Sequence, residues 1–204
     1  MTTLYFIRHA QSLPHSDQPE PDWPLSALGE EQARGLVAVL HPLGIRHLYC
    51  SPYRRCRDTL APFAEEAGLD VVLDEDLRER RIAGVWMSDF RDVWRRSWTD
   101  FGYALEGGES SWICRGRIAG AVEAIAARHA GETIGLGSHG NAIGLFINYV
   151  DPAFGLEEAT RIRTPEIMKV VHRDGGFRWE RSFSAGAAFD ELATDFRATP
   201  GVVA

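Results

Sequence analysis

Short apolar runs of the length typical of β-strands recur along the chain. Four such runs cover residues 4–7, 47–50, 71–73 and 133–137. Between them, apolar residues recur at three- and four-residue intervals, a pattern that predicts amphipathic helices. Residues 167–171 and 177–179 form two further runs, and the Asp-Gly-Gly sequence between them predicts a closing β-hairpin.

The segments between the runs carry residues suited to helix ends. Ser26 and Ser51 are predicted N-caps, and Pro52 after the second is suited to the first helical position. Gly68 and Gly131 are predicted to mark the ends of two helices. A last helix is expected between residues 140 and 151, directly after the fourth run.

This alternation of strand and helix predicts an α/β fold. We expect a three-layer sandwich, with a mostly parallel central sheet flanked by helices on both faces. Neither repeats nor low-complexity linkers interrupt the pattern, so residues 1–204 are predicted to form a single domain. Ligands of such sheets bind at the carboxyl ends of the strands, where residues 8–9, 51–55 and 138–139 are predicted to converge.

Composition limits the classes of ligand. The chain has 45% hydrophobic and 25% charged residues, which is typical of globular proteins, and a formal net charge of −7. This acidic balance disfavours nucleic acid and anionic membranes as partners. An anionic ligand would therefore need a local cluster of positive groups.

Compartment is predicted from features the sequence lacks. The N-terminal residues show neither a basic region followed by an apolar core nor an apolar run of membrane-spanning length, so a cytoplasmic location is expected. Cys50, Cys56 and Cys114 are widely spaced and odd in number, which favours reduced thiols over a disulfide framework.

Four short motifs occur in order on the predicted elements. They are Arg8-His9-Ala10, Arg55 within residues 51–55, Glu79 within residues 77–80, and His139-Gly140-Asn141. Together they resemble the histidine phosphatase superfamily, which has the phosphoglycerate mutase-like fold. The resemblance covers about residues 3–150.

The resemblance implies a role for each motif. His9 is expected to attack phosphorus and form a phosphohistidine, with its other ring nitrogen held by an acceptor such as a backbone carbonyl. Glu79 is expected to act as general acid and then as general base. The expected phosphate-binding residues are Arg8, Arg55, His139 and Asn141. Arginine forks match phosphate geometry, and no metal or other cofactor is expected.

Other residues compete for some of these roles. Glu109 and Asp76 are alternatives to Glu79 as the acid. Arg54 and Arg57 are expected on the surface of the second helix. Core or solvated positions, without a catalytic role, are expected for His41, His47, His129 and His172.

The first motif departs from the mutase branch of the superfamily. Pro14-His15 stand in place of a Trp-Asn pair, and residues 13–24 form a Pro-rich stretch, which indicates a rebuilt substrate loop. His15 is a candidate substrate-binding residue in that loop. Ser88 falls where many members carry a second glycine, which leaves the local pocket shape open.

Residues 84–112 form an insertion that is expected to cover the substrate. It is rich in aromatic side chains, which fits either a lid over an apolar leaving group or a small satellite core. Within it, Arg95 and Arg96 belong to a Trp-Arg-Arg-Ser sequence similar to the substrate-binding sequence of the mutases. Both are therefore candidate substrate-binding residues.

The favoured function is hydrolysis of a small phosphorylated metabolite by a phosphoric monoester hydrolase of the histidine acid phosphatase type. One alternative is a 2,3-bisphosphoglycerate-dependent phosphoglycerate mutase. Another is a non-catalytic phosphate-sensing or interaction module. A third is a protein phosphatase, which the bulky insertion disfavours. A homodimer is left open as the oligomeric state.

Overall fold

A six-stranded mixed sheet lies at the centre of the molecule. The computed structural model describes residues 1–87 and 90–195. The strands are β1 (Thr2–Arg8), β2 (His47–Cys50), β3 (Val71–Leu73), β4 (Thr133–Ser138), β5 (Glu166–Arg173) and β6 (Gly176–Trp179). Their order across the sheet is β3-β2-β4-β1-β5-β6. Strands β1 to β4 are parallel to one another, and β5 and β6 add an antiparallel edge.

Helices cover both faces of this sheet. They are α1 (Ala27–Leu40), α2 (Arg54–Ala67), α3 (Arg91–Thr99), α4 (Ser111–Arg128), α5 (Gly140–Val150), α6 (Leu156–Ala159) and α7 (Ala187–Leu192). Helices α1 and α2 pack against each other over one face, and α4 and α5 pack over the other. The predicted three-layer α/β architecture is confirmed.

Side-chain alternation along β1 explains why two helical layers are needed. Leu4 and Phe6 are buried in the core beneath α4 and α5, whereas Tyr5 and Ile7 are buried in the core beneath α1 and α2. Successive strand residues point to opposite faces of a sheet. A strand that is apolar on both faces must therefore be covered on both.

Of the two serines predicted to cap helices, the prediction for Ser26 is confirmed and that for Ser51 is wrong. Ser26 caps α1, since its hydroxyl accepts a hydrogen bond from the backbone N–H of Gly29 at 3.0 Å. Ser51 does not cap α2, which begins at Arg54 after the N-cap residue Tyr53. The Ser51 hydroxyl instead contacts the ring of His139, which gives it a tertiary partner.

The remaining sequence-based boundaries lie close to those observed. Helix α4 ends at Arg128, slightly before the predicted stop at Gly131. The closing hairpin is confirmed as β5 and β6, and its turn places Asp174 and Gly175 at positive φ. Across residues 1–87 and 90–195, helices of the length and apolarity required to cross a bilayer are lacking.

Candidate active site

A cavity of about 740 Å³ opens at the carboxyl ends of β1 and β4. Among the described residues that form its walls are Arg8, His9, Arg55, Glu79 and Asn141. The register pairs Arg8 with Ser138, so the segments that follow the two strands begin side by side. The predicted convergence of the motifs after these strands is therefore observed.

Hydrogen bonds at both ring nitrogens fix the orientation of His9 in the cavity wall. Its Nδ1 lies 2.7 Å from the backbone oxygen of Ala10, and since a carbonyl only accepts, Nδ1 carries the proton. Nε2 accepts a hydrogen bond from Nε of Arg55 at 3.2 Å. Burial and the neighbouring guanidinium groups of Arg55 and Arg8 hold the pKa of His9 well below its usual range. The ring is therefore neutral near pH 7, with its Nε2 lone pair directed at Arg55 beside the cavity.

Arg8 is anchored at the end of β1. Its Nη1 donates to the backbone oxygens of Ile162 and Arg163 at 2.9 and 3.1 Å. Burial lowers its pKa to about 10, which still leaves it charged at neutral pH. The guanidinium passes over Gly140, where a Cβ atom would lie 3.2 Å from Cζ of Arg8. The glycine after His139 therefore makes room for an arginine.

Arg55 connects the nucleophile to the Pro-rich stretch. Besides its bond to His9, it donates from Nη1 to the backbone oxygen of Glu20 at 2.9 Å and from Nη2 to the Glu20 carboxylate at 2.8 Å. Its guanidinium lies 5.5 Å from the ring centroid of Trp23 and 5.0 Å from that of Tyr53. The side chain is buried, while Arg54 and Arg57 are exposed as expected.

His139 lies behind the cavity and does not contribute to its described walls. Its side chain is buried, and its ring centroid lies 5.2 Å from that of His9. Nε2 lies 2.8 Å from Oγ of Ser51. Burial and Arg55 hold its pKa well below the usual range. In this arrangement His139 packs edge-on against His9, and its contact with phosphate stays a prediction.

Glu79 faces the cavity at the N-terminus of α5. Its carboxylate accepts hydrogen bonds from the backbone N–H groups of Arg80, Asn141 and Ala142 at 2.7, 3.2 and 3.0 Å. Burial raises its pKa, and the carboxylate of Glu20 adds to the rise, while the amide hydrogen bonds and the charge of Arg55 oppose it. A carboxyl group with a raised pKa is suited to donating a proton near neutral pH.

The two alternative acids are placed differently. Glu109 forms a 2.7 Å ion pair with Arg117, and its pKa is lowered because that bond and Arg78 outweigh the opposing effect of burial. Asp76 is exposed. Neither belongs to the described walls of the cavity. The geometry therefore favours Glu79 over both.

Asn141 reaches the cavity wall, but its side-chain oxygen is engaged by the insertion. Oδ1 accepts from the indole N–H groups of Trp94 and Trp98 at 2.6 and 3.3 Å. Its backbone N–H also donates to Glu79. Asn141 thus links α5 to α3 beside Glu79.

Three candidate substrate-binding residues are not part of the described cavity walls, although Pro14 and Ser16 on either side of His15 are. The ring of His15 is 4.0 Å from Asp17, and its backbone oxygen accepts from the Trp23 indole. Arg95 is exposed 3.9 Å from Asp92, and Arg96 is exposed over the ring of Tyr103. The described cavity walls include none of the three. In the Trp-Arg-Arg-Ser sequence the two arginines are exposed and the tryptophan lines the cavity, so substrate binding by the arginines stays a prediction.

The aromatic side chains of the insertion serve both of the roles considered for it, since some line the cavity and others extend the core. Trp86, Phe90 and Trp94 line the cavity. Trp98 is buried in the core beneath α4 and α5, where Phe101 packs against it. Ser88 lies outside the described residues. The segment is thus both a wall of the cavity and an extension of the core.

Two contributors were not identified from sequence. Glu20 lies in the Pro-rich stretch, where the neighbouring prolines are the visible feature and its pairing with Arg55 has no local signal. Thr59 accepts from the N–H of Ala10 at 2.9 Å and donates to the backbone oxygen of Arg55 at 2.6 Å. This hydroxyl couples the Arg-His motif to the first turn of α2.

One group of possible metal ligands occurs in the described chain, remote from the cavity. His47, His129 and Glu132 place ligand atoms within 4.8 Å of one another near the amino ends of β2 and β4. The two rings are stacked at 3.8 Å, so their in-plane lone pairs run side by side instead of meeting at a point. The Nε2 atom of His129 also lies 2.9 Å from Tyr49 Oη. The group does not contribute to the candidate active site.

The mostly parallel sheet, the histidine after its first strand and the buried arginine pair define a phosphoglycerate mutase-like α/β protein. The family model of the histidine phosphatase superfamily (branch 1) matches residues 4–184. The chain belongs to this superfamily.

Two relatives of this chain carry the name of a probable phosphoglycerate mutase. A probable phosphoglycerate mutase GpmB from Enterobacter sp. (strain 638) is 28% identical over 188 residues, covering 85% of this chain and 86% of the relative. The corresponding Escherichia coli protein is 27% identical over 187 residues, with the same coverage of 85% and 86%.

Solved structures share the fold. The mycobacterial glucosyl-3-phosphoglycerate phosphatase in complex with inorganic phosphate has a TM-score of 0.72 at 23% identity, covering 92% of this chain and 98% of that one. A phosphoserine phosphatase variant from Entamoeba histolytica has a TM-score of 0.72 at 21% identity, covering 88% and 95%. At these identities the likeness is one of fold.

Proposed function

We propose that this protein is a phosphatase that hydrolyses a small phosphorylated metabolite through a phosphohistidine on His9. The observation that carries the proposal is the orientation of His9: its Nδ1 proton is held by Ala10 and its Nε2 lone pair faces the cavity beside Arg55. A neutral imidazole held in this tautomer is a competent nucleophile.

In the first step, the Nε2 lone pair of His9 attacks phosphorus and the bond from phosphorus to the ester oxygen breaks. Glu79 gives its proton to the departing oxygen, and the alcohol leaves. Arg8 and Arg55 balance the charge on the phosphoryl oxygens. Burial raises the pKa of Glu79, which favours the protonated carboxyl that this transfer needs.

In the second step, water attacks the phosphohistidine. The Glu79 carboxylate accepts a proton from that water, the bond from phosphorus to Nε2 breaks, and orthophosphate leaves. His9 and protonated Glu79 are then restored. In this proposal His139 positions the His9 ring by edge-on packing and Asn141 positions the acid through its backbone N–H.

Phosphoglycerate mutase activity is the second candidate, because the curated relatives carry that name. A mutase must return the phosphoryl group to a bound intermediate and exclude water meanwhile. The exposed positions of Arg95 and Arg96 favour hydrolysis, since they remove the two cations of the mutase-like sequence from the cavity.

Phosphate release from p-nitrophenyl phosphate and a panel of phosphorylated metabolites, by the wild type and His9→Ala, tests the proposal. We expect release by the wild type and none by the variant. A wild type that releases no phosphate but interconverts 2- and 3-phosphoglycerate would establish the mutase instead. Phosphate binding without turnover of any compound would indicate the non-catalytic module.

A further inference from the structure

The Pro-rich loop, residues 13–24, places a carboxylate on the arginine expected to bind phosphate. The loop is closed at its base by a hydrogen bond from the N–H of Leu13 to the backbone oxygen of Pro24 at 2.9 Å. At its far end, Glu20 begins a short 3₁₀ turn with Pro19 before it and Pro21 after it. These prolines restrict the backbone, so Glu20 is presented to Arg55 at a low entropic cost.

Backbone and side chain of Glu20 hold Arg55 separately. The backbone oxygen accepts from Nη1 and carboxylate Oε1 accepts from Nη2, at 2.9 and 2.8 Å. The Glu20 side chain is 30% exposed, whereas that of Arg55 is 4% exposed. The carboxylate can therefore swing towards solvent while the backbone contact keeps the loop in place.

A phosphoryl group on its way to His9 must compete with this carboxylate. Nε of Arg55 contacts Nε2 of His9, so phosphorus approaching that nitrogen brings its oxygens into the same guanidinium fork. Carboxylate and phosphate oxygens are equivalent acceptors for such a fork. Two anions on one buried arginine repel each other strongly because the local dielectric is low.

We propose that Glu20 controls access to Arg55: its carboxylate occupies Arg55 in the resting enzyme and is displaced by the phosphoryl group of the substrate. This inference rests on the proposed phosphatase function. Ligands that offer only a phosphoryl group, such as orthophosphate, must overcome the ion pair with that group alone. Substrates with a larger leaving group gain additional binding energy elsewhere in the cavity.

The cavity indicates what that leaving group is. Trp86, Phe90, Trp94 and Ile162 line it, and Trp86 packs edge-on against Trp23 of the Pro-rich loop with the ring centroids 5.7 Å apart. Its volume of about 740 Å³ is within the range of sites for drug-sized ligands. The preferred substrate class is therefore a phosphomonoester of an apolar or ring-bearing alcohol, and binding of the alcohol supplies the free energy that displaces Glu20.

Replacing the charge of Glu20 without changing its size tests the inference. Glu20→Gln should tighten orthophosphate binding by about tenfold or more, since a neutral amide forms the weaker bond to a guanidinium. Isothermal titration calorimetry with orthophosphate measures this directly and needs no turnover. Glu20→Ala should shift affinity in the same direction and serves as the second variant if the first folds poorly.

Asp22→Asn is the matched control. Asp22 lies on the same 3₁₀ turn, is exposed, and is not among the described residues of the cavity wall. The variant removes one negative charge from the same loop and should leave orthophosphate affinity within about twofold. An equal gain in both variants would mean that general loop charge, not the ion pair with Arg55, sets the affinity.

Turnover of two esters supplies a second measurement. In Glu20→Gln, kcat/KM for benzyl phosphate and for ethyl phosphate should rise by a similar factor, because each ester displaces the same carboxylate from Arg55. Unchanged kcat/KM for both esters together with unchanged or weaker orthophosphate binding would overturn the role of Glu20.

The two hypotheses fail separately. Tighter orthophosphate binding by Glu20→Gln without hydrolysis of any ester by either protein would support the ion-pair competition and contradict the phosphatase. Hydrolysis that depends on His9, with equal orthophosphate affinity in the wild type and Glu20→Gln, would support the phosphatase and contradict the competition. Absence of orthophosphate binding in both proteins would contradict the role of Glu20.

Discussion

His9 and Glu79 have pKa values shifted in opposite directions by the same buried surroundings. Burial and two arginines lower the pKa of His9, whereas burial raises that of Glu79. Each shift favours the neutral form of its group. In the proposed mechanism the neutral imidazole is the nucleophile and the neutral carboxyl is the acid, so both shifts favour the protonation states that this mechanism requires.

Replacing the acid should change both the pH profile and the dependence on the leaving group. Below its pKa His9 is protonated and cannot attack, and above its pKa Glu79 has no proton to give. We therefore expect kcat/KM to fall at both extremes, and Glu79→Gln to lack the alkaline fall. The variant should lose about 10²-fold or more on alkyl phosphates. Its loss in kcat/KM on p-nitrophenyl phosphate should be much smaller, because p-nitrophenolate leaves without a proton and kcat/KM does not include the later hydrolysis of the phosphohistidine.

Glu75→Gln is the control for this experiment, since Glu75 is an exposed carboxylate four residues earlier in the chain. Its pH profile should match the wild type. Equal losses by Glu79→Gln on both substrates would point to another acid.

The close approach of the Arg8 guanidinium to Gly140 predicts the effect of adding a methyl group there. A Cβ there would lie 3.2 Å from Cζ of Arg8 and 3.3 Å from its Nε. Gly140→Ala should push the guanidinium aside and lower kcat/KM by about tenfold, the effect of weakening one charge-assisted hydrogen bond. Steady-state kinetics and circular dichroism together separate this loss from misfolding.

Gly120→Ala in α4 is the matched control, because the added Cβ meets no atom within 4 Å. It should keep full activity and gain slight stability from higher helix propensity. Wild-type kinetics in Gly140→Ala would show that Arg8 does not need its observed position.

At this scale, sequence was sufficient for residues with a local signature and insufficient for residues defined by a distant partner. His9 and Arg55 occur in short motifs beside predicted strand ends, so their convergence was foreseeable. Glu20 and Arg55 are 35 positions apart in the sequence, and the residues next to Glu20 do not predict the ion pair. Arg95 and Arg96 resembled a known motif, but the orientation of α3 decides which side chains face the cavity.

Elements were predicted where local patterning and tertiary packing agree. The strands β1, β2, β3 and β4 occur close to the apolar runs. Strands β1, β2 and β4 are mostly buried, whereas β3 lies at the sheet edge with Val72 and Leu73 exposed. Ser51 was assigned a capping role that its sequence context suits, yet its hydroxyl is taken by His139. A buried imidazole needs a partner that solvent cannot provide, and this requirement overrides the local capping preference. The assignment of residues 1–204 to one domain stays a prediction.

Helix α3, which lies within the insertion, reaches the cavity through Trp94. Trp94→Phe removes the indole N–H that donates to Asn141 while keeping an aromatic ring. We expect a loss of about fivefold in kcat/KM for benzyl phosphate, corresponding to one hydrogen bond of ordinary strength. The measurement is steady-state kinetics on benzyl and ethyl phosphate.

Arg95→Ala and Arg96→Ala provide the comparison on the same helix. Both side chains are exposed, so kcat/KM should stay within about twofold of the wild type. A larger loss in either arginine variant than in Trp94→Phe would restore the mutase-like role of the arginine pair.

Over the whole molecule the chain carries a net charge of −7, and the described cavity walls hold Arg8, Arg55 and Arg81 beside Asp17, Glu20 and Glu79. Of these, Arg8 and Arg55 are buried, and Arg55 is hydrogen-bonded to His9. A buried pair of arginines within an acidic protein favours a small anion over a polyanion, since a polyanion must also approach the acidic surface.

Metal removal tests whether these arginines suffice for charge stabilisation. Their guanidinium groups meet the phosphoryl oxygens in the proposed mechanism, so phosphatase activity should stay within about twofold after dialysis against EDTA. Hydrolysis before dialysis, after dialysis and after return of Zn²⁺ or Mg²⁺ is the measurement. Activity lost on dialysis and regained with either ion would contradict the assignment.

Trapping the covalent intermediate tests the central claim most directly. Rapid mixing with substrate, quenching in alkali and peptide mass spectrometry should locate one phosphoryl group on His9, and ³¹P NMR should assign it to Nε2, because Nδ1 is bound to Ala10. His9→Ala, with an unchanged circular dichroism spectrum, should show neither adduct nor turnover. A phosphoryl group on another residue or on Nδ1, or hydrolysis that persists in His9→Ala, would contradict the account.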